Sequence, residues 1–157
     1  MSRNSWTARK GNVGPELVDV NLLLYAYDEA APLHARAKRW LAARFASDET
    51  TGIALASALA FVRITTNPRV FRRAFGVAEV CGIVDEWFTL PNVFLIQPTD
   101  RHWPIFVELA TASQSRGALI PDADLAASAF EHGAAVCTHD RDFSRFGKVA
   151  IEFPLSR

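Results

Sequence analysis

The sequence of 157 residues is poor in sulfur, with two cysteines and a single methionine. Cys81 and Cys137 lie far apart along the chain, and their spacing fits neither a zinc site nor a redox pair. Each lies among apolar residues, which predicts two buried free thiols. A chain of this length can build a core without disulfides, so we expect a reducing, cytoplasmic environment.

Long apolar runs are also missing from the sequence. No segment approaches the roughly 18 consecutive apolar residues that a membrane span needs, which argues against a membrane partner. The first 14 residues carry charges but lack the apolar stretch of a secretory signal. We interpret residues 1–14 as a disordered basic tail or an expression remnant, and we expect one folded domain over residues 15–157.

The chain has no net charge, because 17 basic residues balance 17 acidic ones. This balance excludes a uniformly basic nucleic-acid-binding protein. The charges are nevertheless unevenly spread, since no carboxylate lies between Glu49 and Glu79. The same stretch contains four arginines, which are Arg63, Arg69, Arg72 and Arg73. It is either an ordinary solvated basic surface or a patch that binds phosphate groups.

Short apolar segments alternate with helical patterns along the chain. Five of these segments have the length and composition of buried strands, and they cover residues 16–20, 51–55, 93–97, 134–138 and 149–153. Helical periodicity fills the intervals between them, except for a loop before the last strand. This alternation predicts an α/β fold with a mostly parallel sheet and helices on both of its faces.

Capping residues and apolar stripes predict how these helices begin and pack. Asp19 or Asn21 is expected to cap the first helix, Thr99 or Asp100 the fifth, and Asp122 the last. On the second helix, the residues that fall mostly outside the apolar stripe are Arg36, Lys38, Arg39 and Arg44. The tryptophans interpreted as core or dimer packing are Trp40, Trp87 and Trp103.

Four aspartates are expected at one edge of the predicted sheet, beyond the carboxyl ends of the strands, where ligands of parallel sheets bind. Asp19 ends the first strand, and Asp122 opens the helix that leads into the fourth. Asp140 and Asp142 follow that fourth strand. Each aspartate has an ordinary explanation as a helix cap or a loop residue, but four close carboxylates repel one another unless protons or a cation neutralise them.

Carboxylate oxygens favour a hard divalent cation such as Mg²⁺ or Mn²⁺. An ion that is held by acids and keeps its waters suits phosphodiester hydrolysis, because it can activate a water and stabilise charge on the phosphate. The arginine-rich segment would then hold the backbone of a nucleic acid.

Four segments together resemble the PIN domain, in particular the VapC toxins of bacterial toxin–antitoxin pairs. The segments read LVDVNLLLYAYD, FVRITTNPRVF, LIPDADLAA and CTHDRDFSRF, and the resemblance extends from about Glu16 to Leu155. It implies a three-layer α/β/α fold around a parallel sheet of four or five strands. It also implies a Mg²⁺- or Mn²⁺-dependent endoribonuclease that cuts tRNA or rRNA, and a homodimer that a VapB-type antitoxin holds inactive.

The resemblance assigns roles to individual residues. Asp19, Asp122 and Asp140 match the catalytic and metal-binding acids of the family, and Asp142 matches an auxiliary metal-binding acid. Asn21 matches the small polar residue beside the first aspartate. The remaining candidates for contacts with RNA or with the acids are Arg63, Thr66, Arg69, Arg72 and Arg73. Arg63 is expected either to pair with one of the acids or to bind an RNA phosphate.

One position departs from the family pattern. VapC toxins of this type usually read E-F-V-R where this chain reads A-F-V-R, so Ala60 stands in the place of a carboxylate. The change is either engineered or a natural divergence, and the intact remaining acids favour the first explanation. Asp124 is not expected to compensate, because it points away from Asp122 on a helix and reads as a solvated acid of the first turn.

The loss of this carboxylate predicts an impaired nuclease and leaves a second hypothesis open. In that alternative, the chain is a non-catalytic module that binds RNA or an antitoxin. A hydrolase of acyl or sugar phosphates is disfavoured, because the sequence has neither a nucleophile elbow nor a glycine-rich phosphate loop.

Overall fold

Five strands form one sheet in the computed structural model, which describes residues 15–156. They are β1 (Glu16–Val18), β2 (Thr51–Ala54), β3 (Val93–Ile96), β4 (Ala135–Cys137) and β5 (Ile151–Glu152). Their order is β3-β2-β1-β4-β5, and all the pairings are parallel. The predicted parallel sheet is therefore confirmed, whereas the prediction for residues 1–14 lies outside the described residues.

Helices cover both faces of this sheet. They are α1 (Val20–Tyr27), α2 (His34–Ala46), α3 (Leu55–Thr65), α4 (Val77–Thr89), α5 (His102–Ala112) and α6 (Ile120–Glu131). Successive strand residues face opposite sides, so Val18 packs with α1 to α4 and Leu17 packs with α5 and α6. The helices on two faces confirm the expected α/β/α layers. None of the helices in this part of the chain is long and apolar enough to cross a membrane.

Some helices begin differently from the sequence-based prediction. Asp19 caps α1 as expected, because its carboxylate accepts a 2.7 Å hydrogen bond from the N–H of Val20. The predicted cap of α6 is wrong, since that helix begins two residues before Asp122 and places it in the first turn. α5 has no side-chain cap. Thr99, one of its predicted caps, instead donates its hydroxyl to Glu131 at 2.6 Å.

A buried arginine joins the beginnings of β1 and β2. Arg44 of α2 is 6% exposed, and its guanidinium lies 2.9 Å from the carboxylate of Glu16. The same group also donates to Glu49 and to the hydroxyl of Thr51 at 2.8 Å. The prediction that Arg44 lies outside the packed face is therefore wrong. Burial is tolerated because two carboxylates neutralise the charge and the donors have partners.

Two side chains that were predicted to be buried are exposed. Cys137 is buried as expected, but Cys81 on α4 is exposed. Trp87 is 3% exposed and belongs to the core, whereas Trp103 on α5 is 68% exposed. The prediction of a buried thiol at Cys81 is wrong. Trp103 does not pack in the core, so packing in a dimer is the alternative that stays a prediction for it. Helical periodicity identifies an apolar face but not whether that face meets the sheet.

Replacing Arg44 with alanine should destabilise the fold, because Glu16 would keep a nearly buried carboxylate, 12% exposed, without its counter-charge. We expect a loss of about 3–5 kcal/mol in the free energy of unfolding, measured by urea unfolding followed by circular dichroism. Arg39→Ala, at an exposed position of the same helix, is the control and should change it by less than about 0.5 kcal/mol. Similar losses of unfolding free energy for both variants would show that the ion pair of Arg44 with Glu16 does not stabilise the fold.

Candidate functional site

The carboxyl ends of β1 and β4 meet at one edge of the sheet, which we call the carboxylate edge. Val18 and Cys137 are partners in the parallel register, so the residues that follow them lie side by side. The N–H of Asp19 donates to the carbonyl of Cys137 at 2.9 Å. This bond continues the strand pairing by one residue and brings Asp19 beside the chain that leaves β4.

Thr138, which is fully buried, connects the polar residues of the carboxylate edge. Its hydroxyl donates to Asp19 Oδ2 at 2.8 Å. It accepts from Asn21 Nδ2 at 3.3 Å and from the N–H of Asp140 at 3.0 Å. A hydroxyl has one donor and two acceptor positions, so all three are used. Thr138 belongs to the segment CTHDRDFSRF that carries the family resemblance, but no role was predicted for it, although its position directly after β4 was an available signal.

Four aspartates influence one another at this edge. Burial raises the pKa of Asp19, which is 8% exposed, and the hydrogen bond from Thr138 opposes the rise. The pKa of Asp122 is raised to about 7, first by burial and then by the charges of Asp19, Asp140 and Asp142. The four aspartates that were expected at this edge therefore lie within range of each other's charge.

Few cations oppose this negative charge. Within residues 15–156, none of the four aspartates forms a salt bridge. The charge of Arg145 lowers the pKa of Asp122, against the carboxylates that raise it. Arg145 follows Asp142 in a 3₁₀ turn (Arg141–Arg145), and its Nε donates to the carbonyl of Asp142 at 3.2 Å. No role was predicted for Arg145 from the sequence.

Two of the arginines predicted to bind RNA, Arg72 and Arg73, lie away from the carboxylate edge. Arg63 is exposed on α3 and forms no salt bridge with the described acids, so of its two predicted roles the contact with an RNA phosphate is the one that stays a prediction. Arg72 and Arg73 line a cavity of about 720 Å³ together with Asp28, which follows the end of α1. Asp19 lies at the other end of that eight-residue helix, roughly 12 Å away.

Thr66 and Arg69 lie just after the end of α3. The hydroxyl of Thr66 donates to the carbonyl of Val62 at 2.7 Å, which satisfies the end of the helix. The N–H of Arg69 donates to the side chain of Asn67 at 3.0 Å, and the Arg69 side chain is exposed. Thr66 therefore acts at the helix terminus, while Arg69 remains accessible to a partner.

Ala60 is half-buried on α3, a helix that packs against α1 and α6. Asp124 does not supply a carboxylate in its place, because its Oδ1 lies 2.6 Å from Nε2 of His102 on α5. The other ring nitrogen of His102 lies 2.9 Å from Glu131. Asp124 thus faces away from Asp122 as predicted, but the interpretation of a merely solvated acid is wrong.

Two buried polar atoms near the carboxylate edge have no hydrogen-bond partner in the described chain. They are Oδ1 of Asn21 and Nδ1 of His139. His139 precedes Asp140 directly, and its ring meets that of Tyr25 edge to face at 6.1 Å. Such unsatisfied atoms are rare in folded proteins. The free oxygen of Asn21, two residues after Asp19, can accept a hydrogen bond from a water of a hydrated cation.

These donors fit Mg²⁺ or Mn²⁺ in chemistry. Carboxylate oxygens are the preferred ligands of both ions, and here the carboxylates lack salt bridges. Over residues 15–156, however, no three His, Cys, Asp or Glu side chains form a group that could hold an ion directly. Mg²⁺ commonly keeps several waters and takes one or two protein carboxylates, which this edge can supply. Joint binding by Asp19, Asp122 and Asp140 stays a prediction.

Comparison with known proteins agrees with this geometry. The family model described as the PIN domain matches residues 17–149. Ribonuclease VapC37 of Mycobacterium tuberculosis is 34% identical over 139 residues, which cover 88% of this chain and 96% of the relative. This chain is a PIN domain of the VapC family.

Solved structures share the fold of this VapC domain. A chain in the complex VapBC2 from Rickettsia felis, bound to a DNA fragment from its promoter, has a TM-score of 0.62 at 15% identity, covering 88% of this chain and 97% of its own. Mycobacterium tuberculosis VapC20, described as a sarcin-ricin loop cleaving toxin, has a TM-score of 0.61 at 18% identity, covering 82% and 92%. These likenesses confirm the predicted PIN-like fold.

The pKa of Asp122 should make the stability of the metal-free VapC domain depend on pH. This pKa is about 7 in the folded chain, against an ordinary 3.8, so the folded state binds the proton more tightly than the unfolded state. The resulting stabilisation is present at low pH and is lost as the pH rises from about 4 to about 7.

Asp122→Asn removes this titration. In EDTA, we expect the melting temperature of Asp122→Asn to rise relative to that of the unchanged chain as the pH increases across this window. Thermal unfolding at a series of pH values measures the difference. A difference that stays constant with pH would show that Asp122 has an ordinary pKa.

Proposed function

We propose that this chain is an endoribonuclease toxin that hydrolyses phosphodiester bonds of RNA with the help of Mg²⁺ or Mn²⁺. One observation carries the proposal. Thr138 joins Asp19 to Asp140 at one edge of the sheet, the charges of Asp122 and Asp142 act at the same edge, and none of these four carboxylates forms a salt bridge among the described residues. A carboxylate cluster of this kind favours the binding of a divalent cation, and phosphodiester hydrolysis is a reaction that such a cation assists.

The four aspartates of the carboxylate edge would be the ligands of the metal ion. Asp19, Asp122 and Asp140 would hold the ion, with Asp142 as an auxiliary acid. When bound, the ion activates water and stabilises negative charge on the phosphate. Asp122, with its pKa of about 7, carries a proton in part of the molecules near neutral pH, and it must release that proton to act as a ligand.

Thr138 and Asn21 orient these acids. Thr138 donates to Asp19 and accepts from the N–H of Asp140, so one hydroxyl fixes the distance between the ends of β1 and β4. Asn21 donates to the same hydroxyl. This hydrogen bond fixes the orientation of the Asn21 amide, so its unpaired Oδ1 is positioned to contact an ordered water or the substrate.

We place the RNA substrate in the tRNA or rRNA class, in keeping with the names of ribonuclease VapC37 and the sarcin-ricin loop cleaving VapC20. The exposed arginines of the loop after α3 would bind the RNA backbone away from the cleavage point. They are Arg69, Arg72 and Arg73. Because Arg72 and Arg73 line a cavity with Asp28 at the far end of α1 from Asp19, these two would contact nucleotides at a distance from the cut.

A VapB-type antitoxin would be the inhibitor, because chains of similar fold occur in VapBC complexes. A homodimer would cover apolar side chains that the single chain exposes, among them Leu59 at 61% and Trp103 at 68%. The free thiols of Cys81 and Cys137 agree with action in a reducing cytoplasm.

Ala60 would weaken the activity, since α3 then contributes no carboxylate toward the acids. The alternative function is a module that binds RNA or antitoxin without cleaving. Ala60 favours this binding module, because it removes a carboxylate from the acidic site. A cleavage assay distinguishes the nuclease from the binding module.

We expect this chain to cleave tRNA or rRNA slowly in the presence of Mn²⁺ or Mg²⁺. Cleavage should stop when EDTA removes the metal. Asp19→Asn should abolish cleavage and weaken Mn²⁺ binding, because it removes a ligand charge. Asp124→Asn is the matched control, an acid that faces His102, and it should leave Mn²⁺ affinity unchanged. Gel assays measure the cleavage of RNA, and calorimetry measures the affinity for Mn²⁺. If Asp19→Asn binds Mn²⁺ normally and no variant cleaves RNA, the enzymatic proposal fails.

Restoring a carboxylate on α3 should strengthen the site. Ala60→Glu is expected to tighten Mn²⁺ binding by about tenfold and to raise the cleavage rate, because it adds a negative oxygen ligand or a partner for a bound water. Ala60→Gln has nearly the same shape without the charge and serves as control. Equal Mn²⁺ affinities for the two variants would show that position 60 does not face the ion.

A further inference from the structure

The carboxylate edge poses an electrostatic problem for an RNA substrate. Four aspartates repel the phosphate group that has to approach them. A bound divalent cation offsets part of this repulsion, but it leaves the orientation of the phosphate to other groups. Arg72 and Arg73 cannot orient a phosphate at the carboxylate edge, because they lie with Asp28 at the opposite end of α1 from Asp19. Orienting the phosphate therefore requires a positively charged side chain that lies at the carboxylate edge itself.

Arg145 is placed at this edge by the chain that leaves β4. The side chain of Asp140 accepts a 2.9 Å hydrogen bond from the N–H of Asp142 and thereby caps the 3₁₀ turn. Arg145 ends that turn, and its Nε donates to the carbonyl of Asp142 at 3.2 Å. The guanidinium is thus held against the same turn that presents two of the four acids.

The remaining donors of Arg145 are available. A guanidinium has five N–H groups, and the bond to Asp142 uses the one on Nε. The residue is exposed and has no salt bridge with any described acid. Its charge nevertheless acts on Asp122 and opposes the rise of that carboxyl's pKa. Arg145 therefore lies near the acids without being bound to one of them.

Arg141, at the other end of the same turn, does not share this position. Its guanidinium stacks on the ring of Phe153 at 4.2 Å, and its Nη2 donates to the hydroxyl of Ser156 at 2.9 Å. The two arginines differ in surroundings while they share the turn and the charge. Arg141 is thus a matched control for Arg145.

We propose that Arg145 binds a phosphate group of the RNA at the carboxylate edge, through the two terminal nitrogens of its guanidinium. The inference rests on the proposed action on RNA and adds a substrate-contacting residue to it. The planar fork of arginine matches two phosphate oxygens at once. Fixed beside Asp142, it would orient the phosphate next to the acids and reduce their repulsion.

This role predicts opposite effects on the two ligands of the site. The positive charge of Arg145 attracts RNA but repels a divalent cation that binds the same carboxylates. Arg145→Gln should therefore weaken RNA binding and, in the absence of RNA, tighten Mn²⁺ binding. Damage to the fold would weaken both, so the pair of measurements separates a direct contact from a structural one.

The test compares the full chain with Arg145→Gln, Arg145→Lys and Arg141→Gln. Fluorescence anisotropy with a short labelled single-stranded RNA, without divalent metal, measures RNA binding over a range of salt concentrations. We expect Arg145→Gln to lose about tenfold in affinity and to reduce the salt slope by about 0.7. Arg145→Lys should keep the salt slope, because it retains the charge. Arg141→Gln should bind both ligands like the unchanged chain.

Calorimetric titration with Mn²⁺ alone completes the test. Tighter Mn²⁺ binding by Arg145→Gln, together with weaker RNA binding, supports the proposal. Unchanged RNA affinity in Arg145→Gln, or equal losses in Arg145→Gln and Arg141→Gln, would overturn it. Neither measurement needs catalysis. If Asp19→Asn binds Mn²⁺ normally and neither the unchanged chain nor Ala60→Glu cleaves RNA in Mn²⁺, the enzymatic proposal fails, while the role of Arg145 is still decided by binding.

Discussion

The mutual repulsion of Asp19, Asp122, Asp140 and Asp142 is the constraint around which this end of the molecule is organised. Like charges do not gather in a folded chain without compensation, and here the compensation comes from backbone geometry. Parallel pairing of β1 with β4 brings the first and third of these acids together. The hydroxyl of Thr138 then fixes them through Asp19 Oδ2 and the N–H of Asp140.

Within the described part of the chain, two other carboxylates with largely buried side chains, those of Glu16 and Glu131, lie beside a basic group, whereas buried Asp19 does not. Glu16 and Glu49 share the guanidinium of Arg44 at the opposite end of the sheet. Glu131, whose side chain is fully buried, lies beside His102 and accepts from Thr99. A fold that places basic groups beside buried carboxylates elsewhere and leaves Asp19 without one is less stable there than it could be, as functional sites commonly are.

Much of the fold was predictable because its signals are local. Parallel strands buried on both faces appear as short apolar runs, and Asp19 carries the chemistry of a helix cap that the structure bears out. The errors arose where a partner distant in sequence decided the outcome. Thr99 bonds Glu131, 32 residues away, instead of capping α5. The burial of Arg44 likewise depends on Glu16, which lies on another element.

By itself, the sequence determined the fold class, the family and the gathering of four aspartates at the strand ends, because strand order and strand polarity bring those positions to one edge. Tertiary structure alone decided which other groups meet them there. Thr138 and Arg145 belong to the segment CTHDRDFSRF, but the sequence assigned neither a role, and their importance comes from hydrogen bonds made across β1, β4 and the turn that follows. The arginine-rich segment was conspicuous in the sequence, yet the length of α1 separates two of its arginines, Arg72 and Arg73, from Asp19.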